Sequence, residues 1–119
     1  MKPRPEKDLH DSMIRGMIST LEEDGWTIAA ADIPGYTDPG MVGRHIPDLI
    51  AQKGSQKTIV EVETCSTIES QHTEDQFRDF SAATALFFVE APESCLDALK
   101  SLTSSWGIPV DKWYYREGA

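Results

Sequence analysis

A chain of 119 residues is the size of one domain. With 39% hydrophobic and 26% charged residues it has the make-up of an ordinary globular protein, and no apolar run approaches the ~20 residues needed to cross a bilayer. Its net charge of −9, from 20 acids and 11 bases, counts against a general nucleic-acid-coating surface, because phosphate neutralisation needs clustered Lys and Arg.

Residues 1–6, with Pro3 and Pro5, read as a loose lead-in. The stretch MKPRPEKDLHD is charged and lacks the apolar core of a signal peptide, so a cytoplasmic chain with no membrane partner is expected. From Lys7 to Asp24, apolar residues at Leu9, Met13, Ile14, Met17, Ile18 and Leu21 have helical spacing, and Gly25 ends the helix. Trp26–Ala31 reads as a first strand. Asp32–Gly43, with two prolines and three glycines, is a loop long enough to be functional. His45–Ala51 and Thr58–Thr64 read as two strands, and the Gly-containing turn Gln52–Lys57 between them makes a hairpin.

Thr73–Ala85 reads as a helix capped by Thr73, with Phe77, Phe80, Ala83 and Ala85 on its apolar side. Leu86–Val89 is a buried strand by its uninterrupted apolar run, broken by Pro92. Ser94 caps a last helix to about Trp106, with Cys95, Ala98, Leu99 and Leu102 on one face. Gly107 closes that helix, and Val110–Tyr115 is a final strand whose Trp113-Tyr114-Tyr115 closes the sheet or offers a docking surface. The order α-β-β-β-α-β-α-β predicts one α/β domain over 1–119, with a mixed sheet and helices on its faces. Cys65 and Cys95 are too few for a disulfide framework and lack zinc spacing, so both are expected simply as core or strand residues.

Alternation along Thr58–Thr64 points Glu61 and Glu63 one way and Val60 and Val62 the other, and the partner strand carries Asp48. Carboxylates this close repel one another and are costly to bury, unless a hard cation such as Mg²⁺ or Mn²⁺ sits among them. The competing reading of the pair is a solvated strand face with incidental acids. His10 is the polar residue nearest the middle of the first helix's apolar stripe. It reads either as a contributor to the metal region or as a hydrogen-bonded core histidine. His45, three positions from Asp48, is expected to face away from the acids, and His72 to be exposed.

Ile46-Pro47-Asp48-Leu49-Ile50-Ala51, a short Lys/Gly turn and Ile59-Val60-Glu61-Val62-Glu63-Thr64 together resemble the PD-(D/E)XK nuclease signature. The likeness is to the restriction-endonuclease-like and archaeal Holliday-junction-resolvase-like branch. Gln76 and Phe80 resemble the Q-x-x-x-Y helix motif of some members, and the resemblance spans roughly residues 7 to 91.

It implies a restriction-endonuclease-like α-β-β-β-α-β core, here followed by an added helix and strand. It implies a catalytic group of Asp48, Glu61, Glu63 and Gln76, with Mg²⁺ or Mn²⁺ held by Asp48, Glu61 and the Val62 carbonyl. Glu63 stands where the family usually has lysine, and Ile14 where it often has a helix glutamate. The activity implied is metal-dependent phosphodiester hydrolysis of DNA, including structured or branched DNA, with Arg44, Lys53 and Lys57 on the backbone. So small a domain would cover little DNA alone, which suggests a homodimer. The missing lysine and the acidic charge suggest the alternative, a nuclease fold that has lost catalysis and serves in binding or assembly. No Gly-rich phosphate loop supports a nucleotide hydrolase.

Overall fold

The structure is a computed structural model that describes residues 4–117. Its elements are α1 (Arg4–Glu23), β1 (Thr27–Ala31), β2 (Leu49–Lys53), β3 (Gln56–Val62), α2 (Gln71–Ala83), β4 (Leu86–Pro92), α3 (Glu93–Trp106) and β5 (Lys112–Arg116), in the order expected. The five strands lie side by side in sequence order. β1, β2 and β3 are mutually antiparallel, whereas β3, β4 and β5 run parallel through the α2 and α3 crossovers. Among the described residues no helix is long and apolar enough to cross a membrane.

Each face of the sheet is covered. Met13, Ile14, Met17, Ile18 and Leu21 of α1 pack on Leu49, Ala51, Val60, Val62 and Phe88. Phe77 and Phe80 of α2 and Leu99 of α3 pack on Ile59, Phe87 and Val89 of the other face. Central parallel strands buried on both sides need continuous apolar runs, which is why LFFV reads as it does. Phe77 anchors the second layer, edge-on to Phe87 at 5.3 Å and to Trp106 at 6.2 Å.

Several boundaries move for identifiable reasons. α1 begins at Arg4, so the lead-in expected over 1–6 is already helical from its fourth residue, and residues 1–3 lie outside the described part. β2 begins at Leu49 rather than His45, because Pro47 has no N–H to give a ladder. At its other end the hairpin continues to Lys53↔Gln56, leaving Gly54-Ser55 as a two-residue turn with Gly54 at φ 61°. Ser70, not Thr73, caps α2, its hydroxyl accepting from Thr73 N at 3.1 Å. The Thr73 hydroxyl is engaged elsewhere, 2.6 Å from the Thr67 carbonyl and 3.2 Å from Glu63. β4 continues to Pro92, which occupies the cap position of α3 expected for Ser94. Ala83, Ala85 and Ala98 are exposed rather than on buried faces, and Thr103 takes a place in the stripe of α3 with Cys95 and Leu99.

The cysteines depart most from expectation. Cys65 and Cys95 are joined in a disulfide with their Cα atoms 5.7 Å apart. Cys65 is not in a strand but in the loop after β3, and Cys95 is in the first turn of α3. Counting cysteines cannot reveal this. Parallel neighbours paired as Val62↔Glu90 deliver their following loops to the same end of the sheet, and each cysteine sits a few residues beyond that pair.

Phe77→Ala should lower unfolding free energy by about 3–5 kcal/mol, the range for emptying a buried aromatic site. Urea denaturation followed by tryptophan fluorescence measures it. A loss below about 1 kcal/mol would contradict the packing of α2 on Phe87.

Candidate metal centre

The β2–β3 ladder runs to Leu49↔Val60, and one step further Asp48 faces Glu61. Here side chains replace the backbone pairing. Asp48 N donates to Glu61 Oε1 at 2.8 Å, and Val62 N donates to Asp48 Oδ2 at 2.8 Å. The Asp48 carbonyl accepts from Asp32 N at 2.9 Å, which ties in the long loop after β1. Glu63 lies just past β3 yet keeps its alternation, because Glu63 N bonds the Glu90 carbonyl at 2.9 Å. Its Oε1 accepts from the Thr67 hydroxyl at 2.8 Å.

The three acids converge as expected: one oxygen from each of Asp48, Glu61 and Glu63 lies within 4.8 Å of the others. They are 6%, 2% and 5% exposed, so the solvated-face reading is overturned. Burial, then the Asp48 charge, then the Glu63 charge push the Glu61 carboxyl well above the ordinary range. Burial and then the Asp48 charge push Glu63 up to about 7, against the pull of its Thr67 hydrogen bond. The acids open onto a cavity of about 100 Å³ that His10, His72, Thr73 and Gln76 also line. Oxygen-only acids around a space of that size suit a hard divalent ion with some of its waters, so the residues fit Mg²⁺ or Mn²⁺. Val62 has given its N–H to Asp48 and buries its side chain on α1, so its carbonyl is what it has to offer an ion.

His10 does reach the site, with Nε2 3.2 Å from Asp48 Oδ1. Gln76 reaches it from α2. His45 is not on β2 at all; it sits in the preceding loop, edge-on to the exposed His72 at 5.1 Å and 3.6 Å from Asp79 Oδ2. The bases singled out for phosphate contact are not gathered here. Lys53 and Lys57 flank the hairpin turn, and four residues of strand, about 13 Å, separate Lys57 from Glu61. Arg44 is engaged by Asp79, with Nε 3.3 Å from Oδ2.

Glu6 is a residue the sequence does not single out, and Lys7 is one that it offers only as one base among several in the first half. Glu6 accepts hydrogen bonds from Thr64 and, at 2.7 Å, from Ser66, so it braces the loop after β3. Lys7 lines an open cleft of about 270 Å³, and His10, Asp48 and Gln76 line both this cleft and the cavity of the acids. The spacing Glu6-x-x-x-His10 on one helix face was a usable signal, hidden by starting α1 at Lys7.

No family model matches the chain, and no curated protein matches it. A fold-level likeness is found to the crystal structure of an XisH family protein from Nostoc punctiforme. The TM-score is 0.53 at 19% identity, covering 85% of this chain and 89% of that one. Such a likeness shows the fold alone. With the five-stranded mixed sheet flanked by helices, it bears out the nuclease-like α/β fold expected from the sequence.

Without metal, the acids should make stability fall as pH rises. Below about pH 4.5 the carboxyls are protonated in both states and nothing is lost. Between 4.5 and about 7 the unfolded glutamates ionise first, so the native state binds more protons and unfolding becomes easier. For Glu63 the displacement from 4.5 to about 7 amounts to about 3 kcal/mol. Glu90, buried under α1 and also raised to about 7, adds a loss of the same sign. In chelator, therefore, the Tm should fall from pH 5 to pH 8, and Glu63→Gln should recover part of the loss at pH 8 but none at pH 4. A Tm that rises over this interval would refute the burial of these acids in their native protonation states.

Proposed function

We propose that the chain is a divalent-metal-dependent phosphodiesterase of the PD-(D/E)XK type acting on nucleic acid, DNA above all. The observation that carries this reading is the convergence of three buried carboxylates within 4.8 Å at the end of a β-hairpin. Asp48 and Glu61, with the Val62 carbonyl, would hold Mg²⁺ or Mn²⁺. When bound, that ion lowers the pKa of a coordinated water and neutralises charge on the scissile phosphate.

The chain's own groups have distinct tasks. Glu63, held by Thr67 beside the other two acids, would be the carboxylate that takes a proton from water. His10, with Nε2 3.2 Å from Asp48 Oδ1, is placed to orient that carboxylate. Lys7, rather than Lys53 or Lys57, is the base beside Asp48 and meets a phosphate entering the open cleft. Gln76 lines both cavity and cleft and can hydrogen-bond substrate or solvent between them. A pair of chains would widen the DNA contact.

One observation favours a second reading, a nuclease-fold module without catalysis. The family's lysine position is Glu63, and its carboxylate is already engaged by the loop and α2 hydroxyls.

The two readings separate in a nuclease panel with Mg²⁺ and Mn²⁺ against duplex, junction and single-stranded DNA, run beside thermal melts. Ion at a hundred times Kd should stabilise the parent by about 2.7 kcal/mol, and Asp48→Asn should abolish that gain. Glu63→Gln should slow metal-dependent cleavage by about 100-fold or more, the scale of one proton-transfer group. Stabilisation without cleavage of any substrate would favour the binding module. Neither stabilisation nor cleavage would overturn the metal site itself.

A further inference from the structure

We propose that the Cys65–Cys95 bridge is a thiol–disulfide exchange site whose redox state sets how firmly Glu63 is held in the acidic cavity. The link to metal affinity rests on the reading of Glu63 as part of a metal site; the link to the loop does not.

Cys65 lies two residues beyond Glu63, in the loop 64–70 between β3 and α2. That loop braces the site. Thr67 donates to Glu63 Oε1 at 2.8 Å, Thr64 and Ser66 donate to Glu6, and Ser70 caps the helix that carries Gln76. Its own backbone is held by short turns, Thr67 N to the Thr64 carbonyl and Ser70 N to the Thr67 carbonyl, both at 3.2 Å. Ile68, 5% exposed, is its apolar anchor. The disulfide adds the covalent tie, fastening the loop to the first turn of α3 across a separation of 30 residues that includes all of α2.

The two sulfurs differ in access. Cys65 is exposed, whereas Cys95 is 8% exposed and packed in the second core layer. An external dithiol therefore meets Cys65 first. Its thiolate attacks Cys65 Sγ, the S–S bond breaks, and Cys95 Sγ leaves as a thiolate that takes a proton. The second thiol of the reductant then closes on its own sulfur in the mixed disulfide and releases Cys65 as a thiol. The reductant ends as a disulfide, and two electrons and two protons end on the protein. Once released, loop 64–70 keeps only its turn hydrogen bonds, its hydroxyl contacts and Ile68. Local opening then draws Thr67 away from Glu63.

The test uses the full chain, air-oxidised, dithiothreitol-reduced with the reductant then removed under argon, and as Cys95→Ser. Amide hydrogen exchange is read without metal, and Mn²⁺ affinity by calorimetry. Reduction should speed exchange at Thr67, Ser70 and Thr73 and weaken Mn²⁺ binding, each by about tenfold. Exchange at Ile59 and Phe88 in the central strands should stay unchanged, which separates loop release from global unfolding. Cys95→Ser should behave as the reduced chain and ignore dithiothreitol. Unchanged loop exchange on reduction, or two free thiols in the oxidised protein, would overturn the proposal. So would an unchanged Mn²⁺ affinity despite a loosened loop, since the bridge would then not act on the site. If the oxidised chain binds no Mn²⁺ but its loop still responds to reduction, the proposed metal site fails while the control of Glu63 by the bridge stands.

Discussion

Asp48 and Glu61 complete one another's strand. Each carboxylate accepts the backbone N–H that the opposite strand would otherwise leave bare, both at 2.8 Å. Hydrogen bonds to a charged acceptor contribute about 1.5–3 kcal/mol apiece. Removing a carboxylate from water costs several kcal/mol even after relaxation, and the mutual repulsion of the acids adds to it. The exchange therefore fixes geometry without offsetting the charge. What results is a hairpin end that is structurally required and electrostatically unfavourable until a proton or a cation arrives.

The rest of the fold keeps that end from relaxing. β3 lies between antiparallel β2 and parallel β4, with helices on both faces, so Glu61 cannot turn outward without breaking a core layer. The parallel pairing carries on through Glu63 N and the Glu90 carbonyl, which holds Glu63 in register beyond the strand's nominal end. α1 contributes His10 and Glu6, and α2 contributes Gln76 and Thr73. The site thus gathers at the carboxyl ends of β3 and β4, where open α/β sheets leave room for ligands.

The legible part of this molecule was the periodic part. Element order follows from helical and alternating apolar spacing, and the strand parity that pairs Glu61 with Glu63 needs no tertiary information. Asp48 was legible because a short hairpin fixes its register against Glu61. Features set by long-range placement were not. Nothing local shows that loops after parallel β3 and β4 meet, so the disulfide was missed. Thr73 looks like a cap from the helix alone, because its hydroxyl's partners, Thr67 and Glu63, are not visible there. Lys53 and Lys57 lie close to the acids in sequence, but an extended strand carries its two ends far apart.

The glutamate at position 63 sets the charge balance of the cluster, and a lysine in its place would set a different one. With lysine, two carboxylates and one ammonium leave a net −1, which one divalent ion more than neutralises. With Glu63 ionised, three carboxylates give −3, and the same ion would leave −1. In the empty cavity the shift of Glu63 to about 7 eases this, because a proton on Glu63 removes one of the three charges. Lys7 cannot supply the positive charge that such a lysine would bring. Its side chain is 59% exposed and shared with Asp11 at 2.9 Å, so its field is screened by water and by its partner. Neutralising the cluster therefore falls to a proton or a cation rather than to a neighbouring base. Occupancy of the cavity and the state of one carboxyl are thus a single coupled equilibrium.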